Sequence, residues 1–260
     1  MIAACDKDRQ KDADGQMSKA EQAMGEAAGR GAGRRAVIFD LDGTIADTSH
    51  DLVNAANACF IGMGVGDMLD PFADAAVAVG KGGMGMLRLG LERMAFAGDI
   101  DAQIAAQYPN LLKAYEADIA RHTVIYPGFL EAAAALRADG YAVGICTNKP
   151  EYLAVQLLDA LSISGVFDAV IGADTLPTRK PDPAPLRAAI ERAGGDTARA
   201  LLVGDTITDH TTARALGVPS VLVTFGPGGR SVEEMAPDHL LEHYDHLPEV
   251  AARLLGGRST

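Results

Sequence analysis

Short apolar runs and amphipathic stretches take turns along most of the chain, and no other feature restricts its fold as much. Ala36-Val37-Ile38-Phe39 and the segments 141–146, 167–171, 200–203 and 219–224 have the length and the Val/Ile/Leu content of buried strands. Helical stretches lie among them: Leu130, Ala133, Ala134 and Leu136 before Gly140, then 150–161 with proline in its first turn, 183–193 before Gly194, and 207–216 before Gly217. Strands alternating with helices of this length predict an α/β chain built on a doubly wound parallel sheet covered on both faces. Ligands of such sheets bind beyond the carboxyl ends of the strands. Polar residues at those ends are therefore the candidates for chemistry.

A second pattern interrupts the first. Leu52, Ala55, Ala56, Cys59, Phe60 and Met63 make one face of a helix with Thr48 or Ser49 as its cap. Met84, Leu87, Leu91 and Met94 form a second stripe. Ile104, Tyr108, Leu111, Leu112, Tyr115 and Ile119 form a third, which Pro109 is expected to kink or divide. Residues 47–122 thus read as an all-helical module inserted into a core of 36–46 and 123–260. Residues 1–35 are rich in Ala, Gly and Gln, with almost no large apolar side chains, and predict a disordered extension.

The 260 residues are 48% apolar, enough for a packed core, and carry a net charge of −12. Residues 1–35 hold 7 of the 23 basic and 6 of the 35 acidic side chains, so the negative balance belongs to the folding part. That argues against nucleic acid or an anionic membrane as partner. Cys5, Cys59 and Cys146 show no C-x-x-C spacing, which predicts neither disulfides nor zinc and points to a reducing cytoplasm. No apolar run approaches the ~20 residues of a membrane span, and the expected partner is a small molecule. Monomer and homodimer both stay open.

The first strand ends in Asp40-Leu41-Asp42-Gly43-Thr44. In extended geometry the two carboxylates face the same way and repel unless a cation or a shared proton intervenes. Oxygen ligands without nearby His or Cys suggest Mg²⁺; the plain alternative is an acidic turn. Thr147-Asn148-Lys149 follows another strand and reads as an anion site at a helix start or as an ordinary cap. Lys180, in Arg179-Lys180-Pro181-Asp182-Pro183, is a point charge fixed by prolines or a solvated lysine. Gly204-Asp205-Thr206-Ile207-Thr208-Asp209 places two carboxylates one helical turn apart, as metal ligands or as caps.

Taken together and in this order, D-x-D-G-T, then S/T, then K-P, then G-D-x-x-x-D resembles the four motifs of the haloacid dehalogenase superfamily, from about residue 36 to the end. The resemblance implies a Rossmann-like core with a helical cap of the first type. It implies Asp40 as a nucleophile that forms an aspartyl phosphate and Asp42 as general acid and base. It further implies Mg²⁺ held by Asp40, Asp42 and Asp205, with Asp209 a ligand or an orienting group, and phosphoryl oxygens bound by Thr147, Asn148 and Lys180. The second aspartate and the acidic pair favour phosphoryl chemistry over metal-free dehalogenation.

Tyr126-Pro127-Gly128, Thr147-Asn148-Lys149-Pro150, Lys180-Pro181-Asp182-Pro183, Gly204-Asp205 through Asp209 and the strand running into Phe225-Gly226 further resemble bacterial phosphoglycolate phosphatases. The loop Gly226-Pro227-Gly228-Gly229 departs from their Gly-Tyr. The implied reaction is hydrolysis of 2-phosphoglycolate to glycolate and phosphate. Alternatives are a sugar-phosphate phosphatase or β-phosphoglucomutase-like phosphomutase, and, outside enzymes, a phosphate- or partner-binding module. In the insert, 79–85 reads as a flexible glycine-rich loop carrying Lys81, which with Arg88 is a candidate for a substrate carboxylate, or as a glycine-rich helix connector with a solvated lysine. His239, His243 and His246 have helical spacing and read as a solvated helix rather than a metal site. Cys146 reads as core, and Gly31-Ala32-Gly33 precedes its strand and so cannot cradle a dinucleotide.

Overall fold

Val37 and Phe39 point into one apolar cluster and Ala36 and Ile38 into another, the two-residue period of a strand buried on both faces. The structure, a computed structural model, describes residues 33–256. Its strands are β1 (Ala36–Phe39), β2 (Ala46–Asp47), β3 (Val124–Ile125), β4 (Ala142–Cys146), β5 (Ala169–Ile171), β6 (Ala200–Gly204), β7 (Ser220–Val223) and β8 (His239–Leu241). Its α-helices are α1 (Ser49–Gly62), α2 (Ala75–Arg93), α3 (Ile100–Ala117), α4 (Phe129–Ala138), α5 (Glu151–Ala160), α6 (Pro183–Arg192), α7 (Ile207–Leu216) and α8 (Leu247–Leu254).

Six strands form one parallel sheet in the order β5-β4-β1-β6-β7-β8, the expected doubly wound α/β architecture. Helices α4, α5 and α8 supply Leu136, Leu157 and Leu247 to the cluster on one face; α6 and α7 supply Leu186 and Ala213 to the other. Phe39 meets Phe129 edge-on with ring centroids 5.4 Å apart. Truncating so enclosed a ring costs about 3–5 kcal/mol. Register aligns the strand ends: Phe39 pairs with both Ile145 and Val203, so β1, β4 and β6 end level.

Helices α1, α2 and α3 pack on one another around Phe60, Met86, Leu87, Leu91 and Tyr115, an apolar cluster of their own that Leu153 of α5 joins. The chain leaves for these helices through β2 and returns through β3, which pair antiparallel. Asp51, in the first turn of α1, takes the backbone N–H groups of His122 and Thr123 and the Thr123 hydroxyl at 2.7–3.0 Å, fastening the return to the departure.

Several local expectations change. Pro109 lies inside α3 without ending it; the burial of Leu111 and Tyr115 on the following turns outweighs the one hydrogen bond a proline forfeits. The expected flexible loop at 79–85 is helical, broken only at Gly82 (φ 61°, ψ −167°), while at Gly83 a Cβ would lie 2.9 Å from Leu111. The glycines there permit a kink and a close helix contact, not a mobile connector. The helix read at His239, His243 and His246 is instead the edge strand β8 followed by the 3-10 turn Tyr244–His246. Unpaired backbone groups on β7 recruit His239–Leu241, and histidine spacing carried no information about that.

The expected disordered extension lies outside the described residues except at its end. There the Arg34 Nη2 donates to the Tyr141 carbonyl at 2.7 Å, and the Arg35 guanidinium covers the Tyr141 ring at 4.0 Å. Gly31 and Ala32, with Cys5, also lie outside. Among the described residues no helix is long and apolar enough to cross a membrane.

Candidate active site

Because β1, β4 and β6 end level, the residues just beyond them meet although more than 160 positions separate the first from the last. Asp40 leaves β1 with its N–H bonded to the Val203 carbonyl at 2.9 Å. Asp205 leaves β6, and Thr147 leaves β4. Asp40, Asp205 and Asp209 each bring a carboxylate oxygen within 4.8 Å of the others, and all three are buried. Lys180, from the loop before α6, sets its ammonium 2.9 Å from Asp40 Oδ1 and 2.6 Å from Asp209 Oδ1. Asn148 is exposed, and its amide donates to the Lys180 carbonyl at 3.1 Å, tying that loop to the end of β4.

Asp209 is the most committed of the carboxylates. Its Oδ2 accepts from the Thr206 N–H at 3.1 Å and the Thr206 hydroxyl at 2.7 Å, capping α7, while Oδ1 faces Lys180. Gly204 makes room for it: a Cβ there would stand 2.3 Å from that of Asp209. Asp205 accepts from the Thr44 hydroxyl at 3.0 Å, and the buried Tyr244 hydroxyl donates to the Thr44 carbonyl at 2.7 Å. Asp40 Oδ1 is buried and accepts no well-aligned hydrogen bond among the described residues, since Lys180 approaches it close but off-axis.

Burial pushes the Asp40 carboxyl up to about 6, against the pull of Lys180 and with Asp209 adding to the rise. Burial and the charges of Asp209 and Asp40 raise Asp205 well above the carboxylate range. A cluster that resists ionisation in this way favours a cation at its centre. For Lys180 burial disfavours the charge, but Asp209 and Asp40 more than offset it, so its ammonium is held above the usual lysine range. Burial likewise lifts the Cys146 thiol to about 12, consistent with its reading as core.

Asp42 takes a different direction. Its Oδ1 accepts from the Thr48 hydroxyl at 2.7 Å, and its two oxygens lie 2.8 and 3.1 Å from the ammonium of Lys149. Thr48, read from sequence with Ser49 as a candidate cap, does occupy the N-cap position of α1, but its hydroxyl goes to Asp42 and not to the first turn of the helix. Lys149, buried beneath the ring of Tyr115 at 4.2 Å, escaped the sequence reading as a site residue. Its position was the available signal: a lysine at the start of a helix opposes the helix dipole and needs a partner.

A cleft of about 460 Å³ opens over these groups, between the strand ends and the helices of the insert, with Asp40, Asp42, Thr147, Asn148 and Lys180 on its wall. Lys81, Tyr108 and Arg179 also line it. Arg88 does not. It pairs with Asp101 at the surface, because its place on α2 turns it away toward the start of α3.

A family model described as haloacid dehalogenase-like hydrolase matches residues 37–223. A phosphoglycolate phosphatase of Caulobacter vibrioides is 37% identical over 220 residues, 84% of this chain and 91% of the relative. That of Mesorhizobium japonicum is 39% identical over 229 residues, 85% of this chain and 97% of the relative. Among solved structures, CbbY from Rhodobacter sphaeroides in complex with phosphate has the same fold, with a TM-score of 0.65 at 20% identity over 87% of this chain and 98% of the other. The motifs at the strand ends, the sheet that aligns them and these relatives agree: the chain belongs to the haloacid dehalogenase-like hydrolase family.

Proposed function

We propose that this phosphomonoester hydrolase cleaves 2-phosphoglycolate to glycolate and phosphate, with Asp40 as nucleophile and Mg²⁺ as cofactor. The observation that carries the reading is the Lys180 ammonium between Asp40 and Asp209, beside Asp205, at the carboxyl edge of the sheet. Donors that are all oxygen, and an Asp40 Oδ1 without a well-aligned hydrogen bond, suit a hard divalent ion. The side chains of Asp40 and Asp205 and the Asp42 carbonyl would hold it, with Asp209, spent on Lys180 and the α7 cap, orienting the set. When bound, Mg²⁺ offsets the negative charge of the cluster and polarises a phosphoryl oxygen.

The Asp40 carboxylate attacks phosphorus in line; the bond to the leaving oxygen breaks, and Asp42 gives that oxygen a proton. Water then attacks the phosphorus of the aspartyl phosphate, Asp42 takes its proton, and Asp40 is released. Thr147, the Asn148 backbone and Lys180 hold the phosphoryl oxygens, where most of the developing charge resides. The substrate is suggested by relatives named phosphoglycolate phosphatase at 35–42% identity and by Lys81 on the cleft wall, available to a carboxylate. Residues 47–122 act as a cap over the core, and free, buried Cys59 and Cys146 suit a reducing cytoplasm.

Phosphate release from 2-phosphoglycolate tests the reading. Activity with Mg²⁺, none with EDTA, and a loss of at least ~10⁴-fold in Asp40→Asn are expected. Turnover by Asp40→Asn within tenfold of the native protein would end the covalent route.

A further inference from the structure

Lys149 has no role in the proposed hydrolysis, yet it is among the least exposed charges of the described residues. Its side chain is 3% exposed, and its ammonium lies 2.8 Å from one oxygen of Asp42 and 3.1 Å from the other. The ring face of Tyr115 covers it at 4.2 Å. Tyr115 comes from α3 and is itself buried in the apolar cluster of the insert. Enclosing an ammonium costs several kcal/mol unless it is paired, and the start of α5 adds an opposing dipole. A lysine kept there against both effects depends on Asp42, and Asp42 in turn is gripped from three segments: Lys149 beyond β4, Thr48 before α1, and its own turn beyond β1. Asp42 still lines the cleft, as a group that exchanges protons with a ligand must.

We propose that Lys149 is a positioning residue that fixes the Asp42 carboxyl beside the leaving oxygen, and that Tyr115 fixes Lys149 from the helical insert. This rests on the reading of Asp42 as the proton-transfer group. When the phosphorus–oxygen bond breaks, Asp42 in its acid form gives its proton to the leaving oxygen and becomes the carboxylate that the Lys149 ammonium pairs with. That carboxylate later takes the proton of the attacking water; a displaced Asp42 leaves the oxygen to depart as an alkoxide. The penalty depends on the leaving group. An alkyl ester needs that proton, whereas a nitrophenolate departs readily without it.

The test compares kcat/KM for alkyl esters (2-phosphoglycolate and glycerol 3-phosphate) with kcat/KM for p-nitrophenyl phosphate. Lys149→Met is expected to lose ~100-fold on alkyl esters and less than ~5-fold on the nitrophenyl ester, within the range of general acid catalysis. Tyr115→Leu shows the same selective loss at about tenfold, and Tyr115→Phe, which keeps a ring face over the ammonium, recovers most of it. Equal losses on both ester classes overturn the proposal, since they mark Lys149 as a phosphate contact or a packing element. Asp42→Asn separates the two readings. If it lacks leaving-group dependence, the role of Asp42 falls; if it shows that dependence and Lys149→Met does not, only the proposal falls. Should Lys149→Met fail to fold, as read by circular dichroism, Lys149→Arg carries the same comparison with the charge kept but spread over a larger plane.

Discussion

The two walls of the cleft are built on opposite terms. On the core side, Asp40 and the buried Lys180 line the cleft, with Asp205 and Asp209 each bringing an oxygen within 4.8 Å of Asp40. Lys180 joins Asp40 to Asp209, and each carboxylate is placed by a strand end or a helix cap. On the insert side, Lys81 is exposed on the kinked helix α2, two residues before Gly83 comes close to Leu111 of α3. A group that must bear charge through a reaction gains from fixed neighbours, which need no reorganisation. A group that recognises a substrate gains from freedom until the substrate arrives. The buried pair Lys149 and Tyr115 joins the two regimes.

Removing Lys180 is the most direct way to break the locked wall. Lys180→Met leaves Asp40 and Asp209 facing each other without their shared cation, and a loss of about 3–5 kcal/mol is expected in urea unfolding with EDTA present. A loss under ~1 kcal/mol would mean that the cluster is not held together by this ion pair.

Proton linkage gives the next effect. The folded Asp40 carboxyl titrates near 6, above the ordinary 3.8, so the folded state binds this proton more tightly than the unfolded chain does. The contribution is complete below about pH 4 and disappears as pH rises through about 6, a swing of roughly 2–3 kcal/mol. In EDTA the stability of the native protein relative to Asp40→Asn is therefore expected to fall between about pH 4 and 7. If Asp40 holds Mg²⁺ as proposed, excess Mg²⁺ should abolish that fall, because the ion would bind the ionised form. A flat difference in EDTA would show that Asp40 is not desolvated.

The smallest effect sharpens the open wall. Lys81→Ala is expected to raise KM for 2-phosphoglycolate about tenfold, the ~1.4 kcal/mol of one charged contact. Its unfolding free energy should stay within ~0.5 kcal/mol of the native value. Arg88→Ala, whose guanidinium pairs with Asp101 outside the cleft, should leave KM within about twofold and serves as the control. Equal KM changes in the two variants would remove Lys81 from recognition.

Much of this is legible in the sequence itself. The strand and helix alternation specified the doubly wound sheet, because burial on both faces demands continuous apolar strands and flanking amphipathic helices. Asp40, Thr147 and Asp205 stand just past such runs, and chain order alone locates a strand end. Local chemistry was legible in part: Asp205 and Asp209 read as metal ligands or caps, and Asp209 does close a capping box, with Thr206 as a partner the sequence reading does not single out.

What tertiary structure alone decided is which separated groups meet. Nothing near Lys149 in sequence announces Asp42 or Tyr115, nothing near Arg88 singles out Asp101, and nothing near Thr44 announces Tyr244, 200 positions away. β8 exists because β7 offers a free edge, and α2 breaks at Gly82, beside the close approach of Gly83 to Leu111 of α3. Patterning is a property of neighbours along the chain, and it sets the elements and their faces. Partnership between charges depends on register and packing across the fold, which short-range pattern does not encode.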